Sequence, residues 1–465
     1  MADFSSLSNE LVDDIISLLP KKDVLAIVLV SKRFYTLSEP FIYRSISFPP
    51  AQSHRILYLL RSLLNRPLLS LHINHFSFHS WTNVSAPLPI LNPKELTTLH
   101  RSPGTITTFM LPGLSDPIRF IQTGNVDRTV AYILSQSQNL KSIHLTFDVP
   151  RAVGTDLYTN RDFVAKRSYH TRKLFRHFQK PIAAGELFPK LEEVEFDAAG
   201  ETPENSALSW SQAQGVFYLC GLKKLKILRL EEIAITWHQP GPAGGIIARK
   251  PRAQMLTELI LVKTPNFHLK EILSVCPNLK TLRYEYVGDD HVIEGNDESV
   301  FECEMIGEAL KQVSSTLEHL TLDAQINSSS ASELWNESPW GVRGRVGDLS
   351  LLIKLQNIEV PIGLLLGIGP DEVQIADVLP KSIRNIHFRK DLPYLPFLSD
   401  HDESSKIFFD SSPQYLECKR DCAPDLKVIS IGLRHHDQYK FRKEINLLEE
   451  ACRKQGVEFY FSSSI

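Results

Sequence analysis

One short pattern of apolar and polar positions keeps returning along the chain: Leu-x-x-[LIV]-x-[LIVFY]. It first appears as Leu140-Ile143-Leu145, then as Leu191-Val194-Phe196, Leu225-Leu228-Leu230 and Leu256-Leu259-Leu261. It returns as Leu279-Leu282-Tyr284, Leu317-Leu320-Leu322, Leu355-Ile358-Val360, Ile383-Ile386-Phe388 and Leu426-Ile429-Ile431. The first apolar residue is expected to turn into a core, and the last two to alternate inward along a strand. Most occurrences follow an amphipathic stretch, such as 269–276 ahead of Pro277-Asn278-Leu279. The pattern therefore predicts helix–turn–strand units. None can hide its own apolar face, so they must stack.

The first fifty residues differ. Leu7, Leu11, Ile15 and Leu18 recur at helical spacing, and Val12, Ile16 and Leu19 make a second stripe beside them. Residues 9–18 thus read as a helix that is apolar on two faces. Ser8 can cap it and Pro20 stops it. Asp23 can cap the next run, Val24 to Val30, which periodicity alone leaves open between helix and buried strand. Ser31 caps a third helix through Phe34 and Leu37, with Pro40 as its expected end. A unit of this size cannot bury so much apolar surface. The surplus should pack on the rest of the chain or on another protein.

Between these regions, Ile56-Leu57-Leu59-Leu60-Leu63-Leu64 reads as an amphipathic helix, and Leu69-Ser70-Leu71-His72-Ile73 alternates like a half-buried strand. Prolines 87, 89, 93, 103, 112 and 117 predict a looped insertion, with a strand at Ile106–Leu111. At the other end, Phe441–Lys454 reads as an amphipathic helix with Gly456 at its C-terminal cap. Val457–Phe461 is a final strand.

Composition narrows the function. Of 465 residues, 43% are hydrophobic and 23% charged, enough for a large core. A net charge of −3 argues against a general binder of nucleic acid or anionic membrane. The six cysteines are few and scattered, so they read as reduced thiols. The start of the chain lacks a basic, then apolar, leader. The longest apolar run, Val24–Val30, is far short of the ~20 residues of a membrane span. A cytosolic or nuclear protein is expected.

Candidate chemistry is sparse. No phosphate-binding G-x-x-x-x-G-K-[ST] loop, G-x-S-x-G or H-E-x-x-H is present. Cys418-x-x-x-Cys422 lacks a second ligand pair, and His435-His436 reads as polar surface. No metal site, cofactor or catalytic residue is expected, and the chain is not expected to be an enzyme. Two charged stretches stand out. The basic one, 161–180, carries Arg167, Arg172, Lys173 and Arg176 among interleaved aromatics; the acidic one spans 289–304. Each is either a solvated surface or a patch that recognises a segment of opposite charge. Arg167, Arg172, Lys173 and Arg176 are the candidate target-binding residues.

Two resemblances follow. Leu7-Ser8-Asn9-Glu10-Leu11 through Leu19 resembles the first helix of an F-box, and Lys22-Asp23-Val24-Leu25 the start of its second. Val30-Ser31-Lys32-Arg33-Phe34 is similar to its third helix, and Pro40-Phe41-Ile42-Tyr43-Arg44-Ser45-Ile46 to the exit of fungal F-box proteins. The family usually opens with Leu-Pro; here Leu7-Ser8 stands in that place. The repeating pattern resembles leucine-rich repeats, whose period is 20–29 residues. Only two of the eight spacings here, 23 and 28, fit that period, so the others must carry insertions.

The resemblances imply an α/β protein: an N-terminal three-helix F-box (1–48), a connecting helix, strand and Pro-rich insertion (49–125), and an irregular leucine-rich-repeat-like solenoid with a parallel sheet and C-terminal cap (126–465). The implied function is the substrate-recognition subunit of an SCF-type (cullin–RING) ubiquitin ligase. Its partners would be a SKP-type adaptor, through it a cullin, and a target protein. Leu7, Leu11, Ile15, Leu19, Val30 and Phe34 occupy positions that in the family either touch the adaptor or hold the three helices together. The alternative is a scaffold, or a small-ligand-dependent binding protein, acting outside a ubiquitin ligase.

Overall fold

A computed structural model describes residues 6–80, 97, 126–147, 188–197, 208–209, 222–231, 235–236, 252–262, 269–289, 301–327, 342–367, 373–389, 403–434 and 439–464. The chain divides into two compact units. One comprises residues 1–201 and 210–225, the other 202–209 and 226–465.

The first unit opens with three helices: α1 (Asn9–Ser17), α2 (Lys21–Val28) and α3 (Lys32–Arg44). Ser8 caps α1, its hydroxyl accepting from the Leu11 N–H at 3.5 Å, so serine does the work that proline does by pre-setting the first turn. The 24–30 run is helical. Its helix starts from Pro20 rather than Asp23; Asp23 instead lies in the first turn, where a carboxylate suits the helix dipole. Ser31 caps α3 as expected, accepting from the Phe34 N–H at 3.2 Å.

Pro40 does not end α3. It lies near the helix's last turn, where proline removes a single donor. Continuing to Arg44 lets Phe41 and Ile42 pack on the helical core.

Strand β1 (Ser45–Phe48) follows α3 directly. A 3-10 segment (Pro50–Arg55) leads into α4 (Ile56–Asn65), which buries Ile56, Leu57, Leu59, Leu60, Leu63 and Leu64. The strand expected over 69–73 is instead a 3-10 turn, Pro67–His72, that buries the adjacent Leu69 and Ser70. Pro67 at its start fixes a helical φ. The strand comes later, as β2 (His75–Ser80). After α5 (Val126–Gln136) come β3 (Ser142–Phe147) and β4 (Glu193–Asp197).

These four strands are parallel, in chain order and in register. Ile46, Phe76, Ile143 and Val194 form one buried row across them. Ile73-x-x-Phe76-x-Phe78 is a further copy of the pattern, with Phe in its fourth place.

Among the described residues, the main sheet of the second unit has eight parallel strands in chain order: β5 (Ile227–Glu231), β6 (Glu258–Val262), β7 (Thr281–Asp289), β8 (His319–Asn327), β9 (Asn357–Pro361), β10 (Asn385–Arg389), β11 (Val428–Arg434) and β12 (Glu458–Ser464). The connections carry α6 (Leu269–Ser274), α7 (Cys303–Leu310), α8 (Ile362–Leu366), α9 (Ile375–Val378), α10 (Glu403–Glu417), α11 (Lys419–Cys422) and α12 (Arg442–Lys454).

At all nine copies of the pattern a strand begins two residues after the first apolar residue. A tight turn precedes the strand: Leu279 N–H bonds the Cys276 carbonyl at 3.2 Å, and Leu426 N–H the Ala423 carbonyl at 3.1 Å. The backbone then steps from unit to unit, Glu318 to Lys280, Gln356 to Glu318, and Arg384 to Gln356, each bond 2.8 Å long. Leu228, Leu259, Leu282, Leu320, Ile358, Ile386 and Ile429 fall in one buried row.

The C-terminal cap forms as expected. Gly456 takes φ +66°, the left-handed conformation that spares glycine a Cβ clash. Val457 N–H reaches the Cys452 carbonyl at 2.9 Å and Gly456 N–H that of Arg453 at 3.2 Å, the paired bonds of a Schellman turn. The insertion over 81–119, with its expected strand at 106–111, lies outside the described residues.

Deleting a side chain from the central row leaves a cavity. Leu282→Ala should destabilise the second unit by about 2–5 kcal/mol. Ile353→Ala, on an exposed turn, should change it by less than about 0.5 kcal/mol. Urea unfolding of the full chain measures both.

Candidate functional site

Two surfaces merit attention. The first is built by α1–α3. Val12, Ile16, Val24 and Phe34 form the core of these helices, with Leu7, Leu19, Ile27, Leu37, Phe41 and Ile42 packed against it. Arg33 ties α3 to the start of α1: its Nε and Nη2 donate to Asn9 Oδ1 at 3.0 and 2.9 Å, and Nη2 also donates to the Leu7 carbonyl.

What remains outside is strongly apolar. Leu18 is 84% exposed and Leu29 86%, and Leu11, Leu25, Val30 and Tyr35 are exposed as well. The residues singled out from sequence therefore separate by burial. Phe34 is in the core, Leu7, Ile15 and Leu19 are half-buried, and Leu11 and Val30 face solvent.

Sequence reasoning missed Leu25, Leu29 and Tyr35 as surface, and placed Leu18 only as the tail of a stripe. A signal for Leu29 was present. Leu29 and Val30 fall in the short break between α2 and α3, where an apolar pair has no helix face to bury against.

The helices are fastened to the sheet of the same unit. Lys21 Nζ donates to the Ser45 carbonyl at 2.7 Å, and its burial lowers the ammonium pKa. Asn74 N–H donates to the Arg44 carbonyl at 3.0 Å. Arg66 makes a two-pronged pair with Glu39 and donates to Tyr35 Oη at 3.2 Å; the Glu39 contact raises the arginine's pKa.

The second surface is the strand face turned away from the apolar rows, since alternate residues point to opposite sides. In the first unit it is rich in histidine and hydroxyl groups. His75 Nδ1 and Ser142 Oγ are 2.8 Å apart, and His144 Nδ1 lies 3.8 Å from Glu195 Oε2. The His79 and His144 rings meet edge-on at 5.1 Å. Burial first, then the charges of Arg44 and Lys141, hold the His75 pKa below the ordinary imidazole value.

In the second unit Arg389 bridges two carboxylates, Asp323 at 3.1 Å and Glu359 at 3.2 Å. His387 Nδ1 lies 2.6 Å from Ser430 Oγ. Asn357 Nδ2 lies 2.8 Å from His319 Nδ1, and Asn385 donates in turn to Asn357.

Arg167, Arg172, Lys173 and Arg176 lie outside the described residues, as do His435, His436 and most of the acidic stretch. Cys418 is exposed and Cys422 half-buried; burial, then Cys418, raises the Cys422 pKa. Among the described residues no group of three His, Cys, Asp or Glu side chains converges on a point that could hold a metal ion. No helix of the described residues is long and apolar enough to cross a membrane.

The three-helix surface has a counterpart among known families. The chain matches the F-box domain over residues 4–42, which covers α1, α2 and most of α3. It therefore carries an F-box domain, the adaptor-binding module typical of substrate-recognition subunits of SCF ligases. No curated protein matches the chain.

Two outcomes test the polar face. Arg389→Met removes the guanidinium that Asp323 and Glu359 share. It should destabilise the protein by about 2–4 kcal/mol, and a double-mutant cycle with Asp323→Asn should show coupling above about 1 kcal/mol. His75 favours its neutral form in the folded state, so its stabilising contribution is present above the unfolded imidazole pKa and is lost as pH falls through the lowered one. NMR titration of the folded chain should find the His75 midpoint below about 6.5, and a midpoint at or above that value would contradict the assignment.

Proposed function

We propose that this protein is the substrate-recognition subunit of an SCF-type cullin–RING ubiquitin ligase. The F-box docks on a SKP-type adaptor and, through it, on a cullin. The strands of each unit, leucine-rich-repeat-like in pattern, hold the target on their polar faces and on the insertions that lengthen the period. The exit from the F-box, Pro40 to Ile46, is similar to the fungal form. The protein itself performs no bond chemistry: it raises the local concentration of target lysines near the conjugating enzyme. Free thiols at five described cysteines are in keeping with a reducing setting, the cytosol or nucleus.

The observation that carries this reading is the coincidence of the F-box match with a folded three-helix unit that leaves five large apolar side chains outside: Leu11, Leu18, Leu25, Leu29 and Val30. A self-contained cap would turn such residues inward, whereas a docking module has to present them. Docking would bury them in a partner's groove, each contributing about 1.5–3 kcal/mol if fully covered.

The test is co-purification. Leu11→Asp with Leu29→Asp should abolish recovery of adaptor and cullin, while the urea midpoint of the chain stays where it was. Both positions are exposed, so the fold tolerates the charges; Ile15, half-buried, would confound the result. Undiminished recovery of adaptor by the folded double variant would refute the reading.

A further inference from the structure

We propose that the adaptor-docking surface does not end with the F-box match at residue 42 but continues through Tyr35 and Arg66 onto Leu68 and Leu71. The inference rests on the adaptor reading above. Tyr35 lies one turn into α3, close after the exposed Val30, and is itself 44% exposed. Its hydroxyl is held by Arg66, which also pairs with Glu39 one turn further along the same helix. Those two contacts pin the start of the Pro67–His72 turn against α3.

The geometry of that turn does the rest. In a 3-10 helix, residues i and i+3 eclipse each other, so Leu68 and Leu71 stand one above the other on a single face. Leu69 and Ser70, between them, are buried, which turns the leucine face outward. Leu68 is 74% exposed and Leu71 38%. Arg66 brings no net charge to the ridge because Glu39 neutralises it. Tyr35, bonded to Arg66, and the two leucines in the turn that follows Arg66 thus give exposed apolar surface of no net charge beside the docking helices, and exposed apolar surface of this kind marks an interaction site. Continuity with the F-box surface selects the adaptor as its occupant.

The test uses the full chain and purified SKP-type adaptor, with affinity measured by calorimetry. Leu68→Asp combined with Leu71→Asp should weaken binding at least about tenfold, the effect of losing one well-buried leucine. Unchanged circular dichroism and an unchanged unfolding midpoint establish that the variant is folded. Should the two charges disturb the turn, Leu68→Ser alone should still weaken binding about threefold, half that effect in free energy. Leu29→Asp serves as the reference within the F-box. If Leu29→Asp weakens binding and the ridge variants bind like wild type, the extension is wrong and the adaptor reading stands. If the unaltered chain fails to bind adaptor, the reading fails and the extension with it. If the ridge variants leave adaptor affinity unchanged but dissociate a dimer in sedimentation, the ridge serves a second copy of the chain and the proposal is overturned.

Discussion

Each helix–turn–strand unit has one apolar row that it cannot cover, and the same row of the next unit covers it. This lateral constraint governs the second unit of the protein. Leu282 is sealed by Leu259 on one side and Leu320 on the other, because residue-for-residue parallel register puts them level. Register is hard to shift, since a slip by one residue would turn the buried row to solvent. The tight turn before each strand sets the phase, and the backbone bonds that pass from one unit to the next hold it. Insert length matters little to this arrangement. A loop of any length can leave the stack, provided the chain returns at the turn, and loop closure costs only weakly more as loops lengthen.

The same constraint creates the polar face. If alternate strand residues must be apolar and inward, the residues between them are free to be anything that tolerates a sheet. Here they are histidine, serine, asparagine, arginine and carboxylates that bond across strands. Arg389 reaches Asp323 and Glu359 from a neighbouring strand and the one beyond it. Because its charges are largely paired with one another, this face is poorly suited to steering a strongly charged partner from a distance. It offers instead fixed donors and acceptors, which favour shape and hydrogen-bond matching over attraction by net charge.

The sheet was legible because its signal is short, local and repeated: three apolar positions suffice to mark a strand. Phe76 and Phe78 escaped only because phenylalanine was not admitted at the fourth place. The 69–73 segment misled because alternation over five residues also fits a 3-10 turn, and Pro67, which decides the matter through its fixed φ, lies outside the alternating window. Pro40 misled for the opposite reason. Its local effect is to break helices, but the packing of Phe41 and Ile42 rewards continuation. In the candidate docking surface, the residue types were legible and their exposure was not. Leu18 and Val12 look alike in a stripe, yet only Val12 meets Phe34. Which of two apolar stripes is buried depends on where α3 lies, and no spacing within α1 encodes that.

The junction between the helices and the sheet brings these parts together. Arg44 is the last residue of α3 and Ser45 the first of β1, with no linker between them. The helices cannot swivel on that peptide without breaking the bond from Lys21 to the Ser45 carbonyl, the bond from Asn74 to the Arg44 carbonyl, and the pair between Arg66 and Glu39. Lys21 is the telling member. Desolvation lowers the pKa of its ammonium, and its head bonds the Ser45 carbonyl at the point where the helix passes directly into a strand. Within this unit, therefore, the exposed apolar side chains of the F-box and the polar face of β1–β4 are held by the same short stretch of backbone. Their relative placement is set by these contacts rather than by a linker.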